Sequence, residues 1–333
     1  MLSLTAMAQA SNYSAEKQVV EGIEVVRLAD TAHHIEVSIC PSVGNIAFDL
    51  RVNGQPILMP PPAGLAEWKA QPAQTGIPFL APWANRMDPD SFWANGRKYV
   101  LNPDAADLRR DANGLAIHGL LLFASGWQVI KLNAGDDSAE VVSRLEFWRH
   151  AEWMSQFPFA HSIEIRYRLS NGTLEVRTTI HNEGRDPMPL LIGFHPWYQI
   201  PGVPRDNWKL HLPVRDHYTL SSKSVPTGEK TSSDLPDPLP LAGRQLDDVF
   251  GGVNSSDEFW VEGGGQRISV RFGPKFPVAV IYAPKDRNVV CFEPMTAVTN
   301  AFNLAHAGLY KSLQSIAPGA SWSESFWIRP SGF

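Results

Sequence analysis

Apolar and polar residues alternate along the chain in short runs and rarely recur at helical spacing. In 162–169, Ile163, Ile165, Tyr167 and Leu169 alternate with Ser162, Glu164, Arg166 and Arg168. That pattern predicts a strand with one buried and one wet face. Asn171-Gly172 follows and a second run fills 173–181; Asn-Gly between two alternating runs is the strongest short-range hairpin signal. The same dipeptide joins 45–52 to 55–59 at Asn53-Gly54, and 91–94 to 97–101 at Asn95-Gly96. Further strands are expected at 23–28, 34–39, 190–199, 208–212, 258–261, 268–272, 278–282, 289–293 and 323–328. Proline and glycine, 27 and 25 residues, interrupt the chain too often for long helices. Helix is expected only in brief pieces such as 151–157. Segments 60–76 and 223–243 read as long loops, a length that is usually functional or mobile. No repeat of about 20–50 residues suggests a solenoid or propeller. Together these features predict an all-β protein: a large antiparallel β-sandwich of two sheets packed face to face. One domain is expected over 17–333, preceded by a flexible segment at 1–16.

Composition narrows the functional classes. The 29 Lys and Arg are outnumbered by 34 Asp and Glu, giving a net charge of −5. No basic excess is present to hold a nucleic-acid backbone. The apolar stretch at 115–127 is interrupted by His118 and is shorter than the roughly 20 residues of a spanning helix, so no membrane association is expected. The two cysteines, Cys40 and Cys291, form no disulfide framework or C-x-x-C pattern. The histidines show no zinc spacing; His33-His34 reads as a doublet within a strand. No metal or cofactor is expected. Residues 1–10 lack the basic start of an export signal, so the cytoplasm is expected, with the periplasm as the alternative if they are a truncated signal. The oligomeric state is left between monomer and homodimer.

Candidate chemistry sits where polar groups stand among aromatics, prolines and glycines. Arg86 follows the Pro-bracketed run 78–84, which places its guanidinium against a surface. His118 is followed by Gly119, a residue type that permits close approach of backbone or ligand. His195 and Glu293 each precede a proline at the end of an apolar strand. The proline ring holds the preceding residue extended and withholds an N–H from the ladder, so both side chains are rigidly aimed. Glu293 lies among Val289, Val290 and Phe292, so partial burial should raise its pKa and strengthen it as a base. Asp247-Asp248 follows the long loop at 223–243. Trp197 and Trp83 offer flat apolar faces suited to a sugar ring.

These stretches resemble the aldose 1-epimerase (galactose mutarotase) family from about Ile23 to the C-terminus. Asn85-Arg86, Ile117-His118-Gly119 and Phe194-His195-Pro196-Trp197-Tyr198 are similar to its N-R, H-G and second-histidine segments. Val225-Pro226-Thr227-Gly228 with Leu246-Asp247-Asp248-Val249-Phe250, and Phe292-Glu293-Pro294, complete the family order. The resemblance implies interconversion of the α and β anomers of a free aldose. It gives Glu293 the role of general base and His195 that of general acid, with Arg86, His118 and Asp247 holding hydroxyls and the ring. A charged His and an ionised Glu at neutral pH meet that requirement, which predicts a bell-shaped pH–rate profile. Pro196-Trp197-Tyr198 departs from the Tyr-Phe of the best-known galactose mutarotases, so the sugar stays open. Three alternatives share this pattern: a hexose-6-phosphate 1-epimerase drawing cations from Arg86 and Arg97, a glycoside hydrolase pairing Glu293 with Asp247, and a non-catalytic sugar-binding module.

Overall fold

The computed structural model describes residues 11–333. Three antiparallel sheets dominate it. The first is a five-stranded meander of Tyr13–Val20, Ile23–Asp30, Ile35–Cys40, Ile46–Val52 and Gln55–Pro56. The second has nine strands in the order Gln128–Ala134, Ala139–Glu146, His161–Ser170, Thr173–Asn182, Ser321–Ser331, Gln266–Phe272, Glu258–Gly263, Lys209–His211 and Leu239–Pro240. The third has seven, in the order Pro226–Ser232, Asp216–Leu220, Leu246–Gly251, Val278–Ala283, Cys291–Met295, Gly193–Phe194 and Phe79–Leu80.

The nine- and seven-stranded sheets form the sandwich. Phe194 meets Phe326 at 5.0 Å between ring centroids and Phe259 meets Phe292 at 5.8 Å, each pair joining one strand from either sheet. Polar contacts tie the five-stranded sheet to this body, two of them from buried side chains. Buried Asp30 accepts from the backbone N–H of Gly172 at 3.0 Å, and Tyr167 donates to the carbonyl of Asn45 at 2.9 Å. The Asn-Gly hairpins form as expected because Asn53, Asn95, Asn171 and their glycines all take positive φ, which type I′ turns require.

Several expectations are corrected. Of the segment 1–16, residues 1–10 lie outside the described residues, and Tyr13–Glu16 are not loose: Tyr13–Val20 pairs residue for residue with Ile23–Asp30. His33-His34 belongs to a turn, where His33 Nδ1 lies 2.8 Å from Asp30 Oδ2. The 60–76 loop contains a short helix, Leu65–Ala70, which buries Leu65 and Trp68. The 223–243 loop contains the strands Pro226–Ser232 and Leu239–Pro240. The single strand expected over 190–199 is broken into Met188–Leu190 and Gly193–Phe194. No described helix is long and apolar enough to cross a membrane.

Candidate active site

The site begins with the alternation of one strand. On Cys291–Met295, Phe292 turns into the inter-sheet core, so Glu293 and Cys291 face the opposite side. Gly193 pairs with Met295, and Tyr198 pairs with Val290 in the same antiparallel register. That register sets His195 opposite Glu293 and Trp197 opposite Cys291. Between the two pairs Pro196 and Pro294 donate no N–H, and the N–H of His195 bonds instead to the carbonyl of Pro78 at 3.0 Å. Thus two residues 98 positions apart place His195 Nε2 3.3 Å from Glu293 Oε1. Asp247 sits opposite Tyr282, and Tyr282 opposite Cys291, extending the same face across the sheet.

A short ribbon covers this face. Arg86–Met87 pairs with Ala116–Ile117, and the flanking Asn85 and His118 both adopt positive φ. The N–H of His118 donates to the carbonyl of Asn85 at 3.0 Å. Gly119 is required here: its φ is +67°, and a Cβ would lie 2.1 Å from the carbonyl oxygen of Ala81. Gly119→Ala is therefore expected to cost more than about 1 kcal/mol and to lower the thermal midpoint. An unchanged midpoint would contradict this packing.

Arg86 bridges two carboxylates. Its Nε donates to Asp111 Oδ2 at 2.7 Å, and its Nη2 to Asp247 Oδ2 at 3.2 Å. The open cleft holds about 420 Å³, within the range of small-molecule sites. Glu293, His195, Arg86, His118, Asp247 and Trp197 all line it. Sequence reasoning read Asn85 only as part of the Asn85-Arg86 segment and missed Gln74, Tyr282 and Arg287, which also line the cleft, and Asp111 behind Arg86. Tyr282 carried a faint signal, an aromatic ending an apolar strand; Asp111 carried none.

One aromatic assignment changes and another is refined. Trp83 is fully buried and belongs to the core. Trp197 is only 5% exposed, and its ring stacks on His195 with centroids 4.7 Å apart and planes 9° from parallel. One face of the ring thus holds the imidazole plane, and the residue lines the cleft beside it. The terminal atoms around the pair are largely unsatisfied: Glu293 Oε2, His195 Nδ1, His118 Nδ1 and Trp197 Nε1 are buried without a protein partner. Such groups are uncommon in folded proteins and cluster where a ligand or water completes them.

Burial governs the protonation of these groups. It pushes the His195 imidazole down to about 3, with the charge of Arg86 adding to the effect. It pushes the Glu293 carboxyl well above its usual 4.5, reinforced by Asp247 and opposed by Arg86. His118 is also held well below 6.5, first by burial and then by the charges of His195, Arg86 and Arg109. The charged His and ionised Glu expected from sequence are thus not the resting state favoured by this environment. A neutral imidazole beside a protonated carboxyl contains the same number of protons, moved across one 3.3 Å contact.

The fold is thus an antiparallel β-sandwich that carries an imidazole–carboxylate pair beneath an arginine. Residues 26–329 match the sequence profile of the aldose 1-epimerases, and the chain belongs to that family. The uncharacterized protein YphB of Escherichia coli K12 is 24% identical over 262 residues, covering 75% of this chain and 82% of its own. A galactose mutarotase-like protein from Clostridium acetobutylicum superposes with a TM-score of 0.85 at 21% identity, over 97% of this chain and 99% of the other. Galactose 1-epimerase from Lactobacillus acidophilus gives 0.72 at 11% identity, over 97% and 99%. At such identities these structures establish the shared fold.

Proposed function

We propose that the protein is an aldose 1-epimerase, interconverting the α and β anomers of a free aldose through acid–base ring opening and closure. The 3.3 Å approach of His195 Nε2 to Glu293 Oε1 carries this reading. In a pyranose, the hydroxyl oxygen O1 and the ring oxygen O5 share one carbon, so the groups serving them must be neighbours. Glu293 removes the proton from O1, the O1–H electron pair becomes the C1=O bond, and the C1–O5 bond breaks. His195 delivers a proton to O5 as it leaves. The open aldehyde rotates about C1–C2, O5 attacks the other face of the carbonyl, and both protons return.

The environment supports that direction of transfer. Burial strengthens Glu293 as a base and His195 as an acid, and ring opening turns an ionised pair into a neutral one. From the neutral pair that burial favours, the proton first passes from Glu293 to His195 across the 3.3 Å contact, and the ionised pair so formed then takes the O1 proton and protonates O5. Arg86, Asp247 and His118 present donors and acceptors to the sugar hydroxyls around it.

The alternatives fit less well. Glycosidases set two carboxyl groups about 5–5.5 or 6.5–9.5 Å apart across the scissile bond. Here the immediate neighbour of Glu293 is an imidazole, while Asp247 is bound to Arg86. For a phosphorylated sugar, Arg86 is occupied by two carboxylates and Arg97 lies on the 91–100 hairpin outside the cleft lining, which leaves the exposed Arg287 as the cleft's other cation, so the assay includes an aldose 6-phosphate beside the free sugars. A binding module needs no matched acid and base. Polarimetry of freshly dissolved α-D-glucose and α-D-galactose tests the reading. An accelerated approach to equilibrium rotation for at least one sugar is expected. Rates equal to buffer for these and other free aldoses would overturn it.

A further inference from the structure

We propose that Asp111 is a positioning residue for the epimerase reaction: it holds the Arg86 guanidinium against the cleft wall and keeps its charge from pairing with Glu293. The inference rests on the reaction assigned above. Asp111 is well placed for this task. Its Oδ2 accepts from Arg86 Nε at 2.7 Å, and its Oδ1 accepts from the backbone N–H groups of Asn113 and Leu115 at 2.9 Å each. Its side chain is 8% exposed. Its own N–H donates to the carbonyl of Leu115 at 3.0 Å, closing a turn that runs directly into Ala116–Ile117 and His118. One carboxylate thereby fixes Arg86 and the start of the ribbon that presents His118.

The geometry also explains why a second acid is needed. Arg86 is 15% exposed, and its Nη2 contact with Asp247 is long, at 3.2 Å. Charge-assisted pairs are strongest when two parallel bonds form, so a guanidinium released from Asp111 can turn to engage another carboxylate. The titratable and charged groups facing Glu293 are His195, Arg86, Asp247, Cys291, Tyr282, His118 and Arg287. Arg287 is exposed, whereas Arg86 is largely buried and its charge already lowers both Glu293 and His195. Removing the Asp111 charge leaves that field less neutralised. Glu293 then holds its proton less well, and a rotated Arg86 occupies space that a sugar hydroxyl needs. Asp111 itself remains a strong anion: burial raises its carboxyl, but the bonds from Arg86 and the two amides bring it below its usual value.

Asp111→Asn, Asp111→Glu and wild type should be compared by polarimetry across pH. Asp111→Asn is expected to lower kcat/KM about 10–100-fold, the scale found for outer-shell partners that orient metal ligands and taken here by analogy, and to move the basic limb to lower pH. Asp111→Glu, which keeps the charge, should return that limb to its wild-type position even if the rate is only partly restored. A purely structural role would lower the thermal midpoint and leave the limbs in place. Wild-type rate, or an unmoved limb in folded Asp111→Asn, overturns the proposal. Should Asp111→Asn fail to fold, Asp111→Glu decides: a shifted basic limb in that charge-preserving variant contradicts it. Difference infrared titration of the Glu293 carboxyl in wild type and Asp111→Asn reads the same shift without turnover. Inactive wild type with a shifted carboxyl would overturn the epimerase reading while leaving the control of Arg86 and Glu293 by Asp111 standing; an active wild type with an unshifted carboxyl would overturn the role of Asp111 alone.

Discussion

Glu293→Gln is expected to slow mutarotation by about 10²–10⁴-fold, the usual contribution of a well-placed proton acceptor. Glutamine is isosteric with glutamate and can still meet His195 Nε2, so the variant should fold and bind sugar while lacking a base. The loss should therefore appear mainly in kcat, because the proton leaves O1 only in the transition state. Polarimetry on a freshly dissolved anomer, with circular dichroism as the check on folding, measures it. A variant as fast as wild type would remove Glu293 from the mechanism.

The pH profile should carry the second large effect. The pair must hold one mobile proton. On the acid side, activity is lost when the imidazole and carboxyl are both protonated, which for His195 occurs only near pH 3 and not near the ordinary 6.5. On the basic side, activity is lost when the last proton leaves through Glu293, whose carboxyl is raised well above 4.5. The profile is thus a broad plateau with two distant limbs, wider than the bell predicted from a free histidine and a free carboxylate. Measured kcat/KM values from acid to alkaline pH, restricted to the range where circular dichroism shows a folded chain, test it. An acid limb centred at 6–7 would show that His195 titrates as a solvated imidazole, contrary to its burial.

Much of the architecture was legible because local rules and tertiary packing agree along these strands. The hairpins at Asn53-Gly54, Asn95-Gly96 and Asn171-Gly172 combine a left-handed turn with alternating flanks, and each formed. Strands whose faces are both largely wet were harder to read. Tyr13–Val20 and Gln128–Ala134 lie at sheet edges and are mostly exposed or half-buried, so their sequences show little apolar alternation. The helices Leu65–Ala70 and Ala301–His306 span six residues each, too few for a helical period to emerge.

The site divides in a similar way. Of the side chains singled out, all but Trp83 line one cleft, most of them marked by neighbouring Pro, Gly or aromatic residues and Asp247 by its place after a long loop. Their mutual arrangement was not legible, because it depends on register between strands far apart in sequence. That register joins His195 to Glu293, turns Trp197 onto His195, and gives Arg86 to Asp111 and Asp247. It also sets the burial that displaces both proton-transfer groups from their solution behaviour. Asp111 stands in an ordinary Asp-Ala-Asn-Gly turn, and only the folded chain reveals its partner.

A double-mutant cycle on His195 and Glu293 tests most directly whether they act as one proton-exchanging unit. The rates of His195→Gln, Glu293→Gln and the combined variant are compared with wild type under one polarimetric assay. Residues that function together lose nearly everything with the first substitution. The double variant is therefore expected to be no slower than the slower single variant. A loss equal to the product of the two single losses would mean that the imidazole and the carboxylate act independently, and would contradict the coupled pair.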